Sequence, residues 1–323
     1  MTDVKVAITG GAGFLGDVLA RRILQAGSIE VDGSSRRVGE LVLLDVRAAR
    51  EDLLADERVT MLEGDLASRL GDLGDVDVVF HLAGVVSGAA EADFDLGMRV
   101  NLDALRAMLE HLRGLPGTPL VVFTSSLAVF GQDPFGPELG TVTDDTMPRP
   151  QSSYGVQKFI GEQLVADYAR KGFVDGRTVR LMTVSVRPGA PNAAASSFLS
   201  GIIREPLAGE RAVCPVPADT PVALSSPSRT VDGILRAAAV TAGEWGSRTA
   251  MNLPSLTTTP HDMVEALERA KPGASELIDW EQDRAVIDIV TTWPSAFDAA
   301  RAAALGLESP ESFDAIVEEY LAR

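Results

Sequence analysis

VKVAITGGAGFLG, residues 4–16, joins a continuous apolar run to three glycines spaced G-x-x-G-x-x-G (Gly10, Gly13 and Gly16) and then to an amphipathic stretch. Over Phe14 to Gln25, Leu15, Val18, Leu19 and Ile23 fall on one helical face, so the passage reads as strand, tight turn and helix. Small residues at such a turn let the backbone bend sharply and approach a pyrophosphate closely, with the amides of the helix N-terminus aimed at its charge. A tight turn without a ligand is the bland alternative, and glycines alone do not exclude it.

Further apolar runs follow at Leu41 to Asp45, Val59 to Glu63, Val76 to Ala83 and Leu120 to Ser126. Continuous rather than alternating hydrophobicity suits strands buried on both faces. Helical periodicity at Leu96 to Leu112 and Gly155 to Tyr168 completes a repeat of strand and helix, which predicts the α/β class with a doubly wound parallel sheet. Residues 28–39, SIEVDGSSRRVG, read as a surface loop. Past residue 188 the chain turns Pro-rich and irregular (RPGAPN, CPVPADTP), then helical near 229–242, 260–270 and 310–322. A smaller C-terminal α+β domain over 189–323 is therefore expected beside a first domain of 1–188, to which 227–255 returns.

Charge narrows the partners. Twenty-nine Lys plus Arg against 46 Asp plus Glu leave −17 on 323 residues, which argues against nucleic acid and anionic membranes. No apolar run approaches the roughly 20 residues needed to span a bilayer, and the N-terminal residues show no secretory signal, so a cytoplasmic protein is expected. Cys214 is the only cysteine, which excludes an internal disulfide and reads as a small buried hydrophobe. His81, His111 and His261 lie far apart in sequence, and no metal is expected.

Asp45 closes the second apolar run, where a carboxylate accepts both hydroxyls of an adenosine ribose and repels a 2′-phosphate; a solvated strand-end carboxylate is the alternative. His81, inside VVFHLAG, reads as a core histidine rather than a base. Ser125 and Ser126 end the fifth run, and Tyr154 and Lys158 form Y-x-x-x-K on one face of a predicted helix. With three Tyr and four Lys in the chain, this pair in this place is not readily an accident. A tyrosine acting as base near neutral pH needs nearby positive charge to lower its pKa from about 10. Ser126 would hold the substrate hydroxyl, and hydride would pass to a nicotinamide.

GGAGFLG (10–16), HLAG (81–84), TSSLAVFG (124–131) and YGVQK (154–158) together resemble the extended short-chain dehydrogenase/reductase family, in its NAD-dependent epimerase/dehydratase branch, over residues 3–190. The resemblance implies a Rossmann domain that binds NAD and a catalytic trio on Ser126, Tyr154 and Lys158. It places the cofactor against Gly10, Gly13, Phe14, Leu15, Gly16, Asp45, Asp65, Leu66, Leu82, Ala83, Gly84, Asn101, Thr124, Tyr154 and Lys158. Residues 184–210 are more similar to the D-erythronate dehydrogenases than to the nucleotide-sugar epimerases, and Phe130 stands where epimerases commonly carry Tyr. That likeness implies a small sugar-acid substrate, oxidised at its 2-hydroxyl, and the wider family implies a homodimer; substrate contacts are expected at Ser87, Ser126, Tyr154, Asn192, Ser196 and Arg229, with Asn192, Ser196 and Ser197 of NAAASSF offering polar groups to a hydroxylated substrate and a Pro-broken polar loop as the alternative. Arg187 and Arg204 are further cations that could meet a carboxylate. A nucleotide-sugar epimerase, or a non-catalytic dinucleotide sensor, remains open.

Overall fold

In the computed structural model, which describes residues 3–189 and 194–323, every one of the apolar runs lies in a single eight-stranded sheet. The strands in chain order are β1 (Val4–Thr9), β2 (Ser28–Val31), β3 (Ser34–Asp45), β4 (Val59–Glu63), β5 (Val78–His81), β6 (Leu120–Ser126) and β7 (Asp175–Leu181). They continue with β8 (Thr183–Val184), β9 (Ala212–Cys214), β10 (Val222–Ser225), β11 (Met251–Asn252), β12 (Leu256–Thr258) and β13 (Ile278–Trp280). The large sheet runs β11-β7-β6-β5-β1-β3-β2, with β4 also on β3, and is parallel apart from the β2–β3 pair.

Alternation of side chains along buried strands explains why the runs are continuous. Val6, Ile8, Leu41, Leu43 and Phe80 enter a core shared with helices Phe14–Ala26 and Pro227–Ala239. Ala7, Val42, Val79 and Phe123 face the opposite core, with helices Leu66–Leu73, Ala104–Arg113 and Ser153–Arg170. The chain therefore has the Rossmann-like doubly wound α/β fold.

Three local expectations change. Residues 28–39 are not a loop: β2 and the start of β3 form a hairpin around Asp32 (φ 46°) and Gly33 (φ 74°). Two left-handed residues in succession make the tight turn that matches strand twist. The turn is docked by its amides, Asp32 N donating to Ala238 O at 3.0 Å and Gly33 N to Ala239 O at 2.7 Å. The helix expected over 96–112 is interrupted by a wider π turn, Met98–Asp103, which carries Asn101. The helix expected near 229–242 begins at Pro227 and ends at Ala239, because Val240 is extended.

A second core gathers Val186, Leu199, Ile202, Cys214, Leu224, Met263 and Phe313 from the C-terminal half. Cys214 is fully buried there, as its sequence context suggests, and burial pushes its thiol up to about 11. Sheet β12-β10-β8 and the β9–β13 pair frame this region. Among the described residues no helix is long and apolar enough to cross a membrane.

Candidate active site

The carboxyl ends of β1, β5 and β6, where chain connections diverge to opposite sides of β1, open into a cleft of about 300 Å³. Crevices at such switch points are where open α/β sheets bind ligands.

Its floor is the glycine turn. Gly10 has φ +72°, and a Cβ there would lie 2.8 Å from Ala83 N; at Gly16 a Cβ would overlap the Gly10 carbonyl oxygen. Gly13 N donates to Gly10 O at 3.0 Å, and the helix Phe14–Ala26 begins with no side-chain cap on its amides. Gly10, Gly13, Phe14, Leu15 and Gly16 all line the cleft. Uncapped helix amides at a turn whose glycines leave no room for a Cβ against the neighbouring backbone suit a pyrophosphate. Asp45 stands at the end of β3 beside this turn, its carboxylate accepting from Ala12 N (3.1 Å) and Arg47 N (3.2 Å).

The remaining residues expected at the cofactor divide into lining and support. Leu82, Gly84 and Thr124 line the cleft. Ala83 N donates to Thr9 Oγ1, and a Cβ on Gly84 would come within 2.9 Å of Asn101 Oδ1. Asn101 is buried and acts from behind: its Oδ1 accepts from Val85 N, while its Nδ2 donates to Val85 O and to Gln157 Oε1. Asp65 and Leu66 do not line the cleft. Asp65 caps helix Leu66–Leu73 through Ala67 N, and Leu66 is core.

Ser126, Tyr154 and Lys158 meet at one end. Ser152 caps helix Ser153–Arg170 by accepting from Gly155 N, and Gly155 presses so close to the Ala128 carbonyl that no Cβ fits. That approach sets Tyr154 against Ser126, to which it is hydrogen-bonded. Lys158 Nζ donates to Thr124 O at 2.9 Å and lies 4.8 Å from the Phe123 ring centre and 5.9 Å from that of Tyr154. Burial holds the Tyr154 phenol up at about 12, with the Ser126 hydrogen bond pulling the other way. Burial also brings Lys158 down to about 8, opposed by Glu162.

Ser125, the neighbour of Ser126, is occupied: its hydroxyl donates to Glu162 Oε1 at 2.6 Å. Glu162 also accepts from Arg180 at 2.8 and 2.7 Å, in a pair only 2% and 5% exposed. Sequence reasoning passed over both: β7, DGRTVRL, is too polar to read as a buried strand, and only the fold shows Arg177 and Arg180 buried in it.

His81 is a core residue, 2.7 Å from Thr9 Oγ1 and stacked on Phe123. Burial, with Lys158 adding repulsion, pushes it down to about 3. The unfolded chain binds a proton at 6.5 that the folded chain refuses until about 3, so stability is lost as pH falls through that window. The expected loss is about 2 kcal/mol between pH 6.5 and 5, read as the difference between wild type and His81→Asn in urea unfolding at the two pH values. Equal acid sensitivity of the two proteins would contradict it.

The substrate side is less complete. Ser196 lines the cleft, as do Arg187, Ser197, Ser200, Met182, Thr183 and Trp293, the last three unmarked by any motif. Ser87 is buried at the cleft wall and accepts from Ala195 N. Asn192 lies outside the described residues. Arg229 is not at the cleft: in the first turn of helix Pro227–Ala239 it borders a separate groove and pairs with Glu308 at 3.4 Å, which corrects the expectation of a substrate contact.

Residues 6–221 match the model of the NAD dependent epimerase/dehydratase family. A Cupriavidus necator protein named D-erythronate dehydrogenase is 52% identical over 323 residues, covering 98% of each chain. A Haemophilus influenzae protein of the same name is 41% identical over 98% of this chain and 99% of its own. Among solved structures, a nucleoside-diphosphate-sugar epimerase from Agrobacterium tumefaciens has a TM-score of 0.89 at 37% identity, covering 100% of this chain and 94% of its own. An L-threonine 3-dehydrogenase of Trypanosoma brucei, at 22% identity and TM-score 0.82 with 99% and 97% coverage, shares the fold.

Proposed function

The chain belongs to the NAD-dependent epimerase/dehydratase family, and from that premise we propose that it is a cytoplasmic, homodimeric dehydrogenase that oxidises the 2-hydroxyl of a short sugar acid, D-erythronate, to the 2-oxo acid. One observation carries the reading: the cleft that holds the uncapped glycine turn also holds Tyr154, Ser126 and Lys158. The D-erythronate dehydrogenases similar to it over 98% of its length supply the substrate. Residues 1–188 with 227–255 serve as the cofactor-binding part, and 189–323 as the substrate-binding part.

Gly10, Gly13 and Gly16 would hold the pyrophosphate, Asp45 the adenosine ribose, and Leu82, Gly84 and Thr124 the rest of the dinucleotide. NAD, when bound, supplies the acceptor for the hydride leaving C2 and a positive charge near the phenol. Ser126 Oγ holds the substrate hydroxyl, and Tyr154 Oη takes its proton. Bringing a phenol from about 12 to neutrality requires about 7 kcal/mol of electrostatic help, at ~1.4 kcal/mol per pKa unit. Lys158, on the same helix face, contributes in that direction.

Asp45→Ser is expected to shift the ratio of kcat/KM for NAD over NADP toward NADP by about 10- to 100-fold, the loss of one or two charged hydrogen bonds plus relief of repulsion. Parallel assays with the two cofactors check it, and an unchanged ratio would contradict the ribose role. The homodimer has its own check. Phe94, Val156 and Ile160 are exposed on segments that pack together, and a solution mass of twice 34.1 kDa is expected; a purely monomeric mass would contradict it.

The likeness to a structure described as a nucleoside-diphosphate-sugar epimerase favours one other reading. An epimerase returns its hydride within each turnover and accumulates no NADH. Spectrophotometric NADH formation from D-erythronate therefore tests the proposal, and a UDP-sugar interconverted without NADH would replace it.

A further inference from the structure

We propose that Glu162 is a positioning residue that acts through Lys158: clamped by Arg180 and Ser125 behind the cleft, it supplies the negative charge that keeps the Lys158 ammonium protonated beside Tyr154. The inference rests on the role given to Lys158 above and deepens it. Tyr154, Lys158 and Glu162 recur every fourth residue of helix Ser153–Arg170, so they share one helix face. They meet three consecutive residues at the end of β6. Lys158 Nζ donates to Thr124 O at 2.9 Å, Glu162 Oε1 accepts from Ser125 Oγ at 2.6 Å, and Tyr154 is hydrogen-bonded to Ser126. Of these six residues Glu162 alone does not line the cleft.

Arg180 fixes the carboxylate in turn. Its Nε and Nη2 donate to Glu162 at 2.8 and 2.7 Å, its Nη1 donates to Asn252 Oδ1 at 3.3 Å, and its guanidinium lies 4.8 Å from the Phe130 ring centre. A buried ion pair adds little stability over apolar residues of the same shape, so stability alone does not account for it. Lys158 gives it a second use. Around the ammonium, β5 presents His81, β6 presents Thr124 O and the Phe123 ring, and the π turn presents Asn101 across Gly84. Tyr154 lies on its own helix, and Arg187 lines the same cleft. None of these is an anion near neutral pH, and no Asp or Glu is among the described residues lining the cleft. Burial lowers Lys158 to about 8, and Glu162 is the charge that opposes the fall.

The test titrates Lys158 without substrate, by ¹³Cε NMR of lysine-labelled protein; the chain has four lysines, and the resonance lost in Lys158→Arg assigns this one. The wild-type midpoint is expected at about 8. In Glu162→Gln it is expected about one pH unit lower, whereas unfolding would raise it toward the ordinary 10.5. The double variant Arg180→Met with Glu162→Leu leaves no buried charge uncompensated; it is expected to move the midpoint the same way and gives the answer if Glu162→Gln does not fold. In sugar-acid oxidation kcat should fall about 10-fold with KM little changed, the equivalent of one pH unit. The acid limb of the pH profile should move to lower pH, because Tyr154 and Lys158 titrate as a pair that has lost a neighbouring negative charge. A Lys158 midpoint and an acid limb both unmoved in a folded variant overturn the inference. Wild type inactive on every sugar acid overturns the dehydrogenase reading, whereas the Lys158 midpoint decides the role of Glu162 separately.

Discussion

Tyr154→Phe is expected to lower kcat for D-erythronate oxidation by about 10²- to 10⁴-fold, the usual contribution of a positioned general base. The change removes one oxygen whose described partner is Ser126 and leaves the ring beside Lys158 in place. Binding of NADH is therefore expected to survive, as is the stability of helix Ser153–Arg170, whose cap is Ser152 rather than Tyr154. Stopped-flow and steady-state rates with a parallel NADH titration separate the two effects. Full turnover in the variant would contradict the role of the phenol, and joint loss of turnover and cofactor binding would mark it as structural.

Arg180→Met carries the other large effect, on stability. It strips two hydrogen bonds from Glu162 and leaves a carboxylate only 2% exposed with Ser125 as its remaining described partner. Breaking a buried pair from one side costs about 3–5 kcal/mol, whereas replacing both partners by apolar residues is often close to neutral. Urea unfolding should show that loss in the single variant and a large recovery in Arg180→Met with Glu162→Leu. Equal loss in the single and double variants would contradict the uncompensated-charge account. The pair also matters to the site: Glu162 lies one turn beyond Lys158, and Ser125 directly precedes Ser126.

Much of this site was legible in the sequence because it depends on local pattern. Gly10, Gly13 and Gly16 announce a turn whose Cβ positions are sterically closed, and Y-x-x-x-K puts Tyr154 and Lys158 on one helix face at any helix position. What was not legible depends on tertiary placement. The hairpin at 28–39 has only four residues of alternation, SIEV, before the Asp32–Gly33 turn, and its docking partners are some 200 residues away at Ala238 and Ala239. The π turn at Met98–Asp103 shifts hydrogen bonding by one residue without disturbing hydrophobic spacing. Arg187 and Arg229 look alike in sequence. Helix Pro227–Ala239, packed on the β2 side of the sheet, carries Arg229 to the other groove, while the turn after β8 brings Arg187 to the cleft.

The most direct measurement is NADH formation by the purified protein supplied with D-erythronate and either NAD or NADP. The account predicts steady accumulation of NADH with NAD, little with NADP, and near-complete loss in Tyr154→Phe. Absence of NADH from D-erythronate and other sugar acids, with a UDP-sugar converted to its epimer and no net NADH, would contradict it.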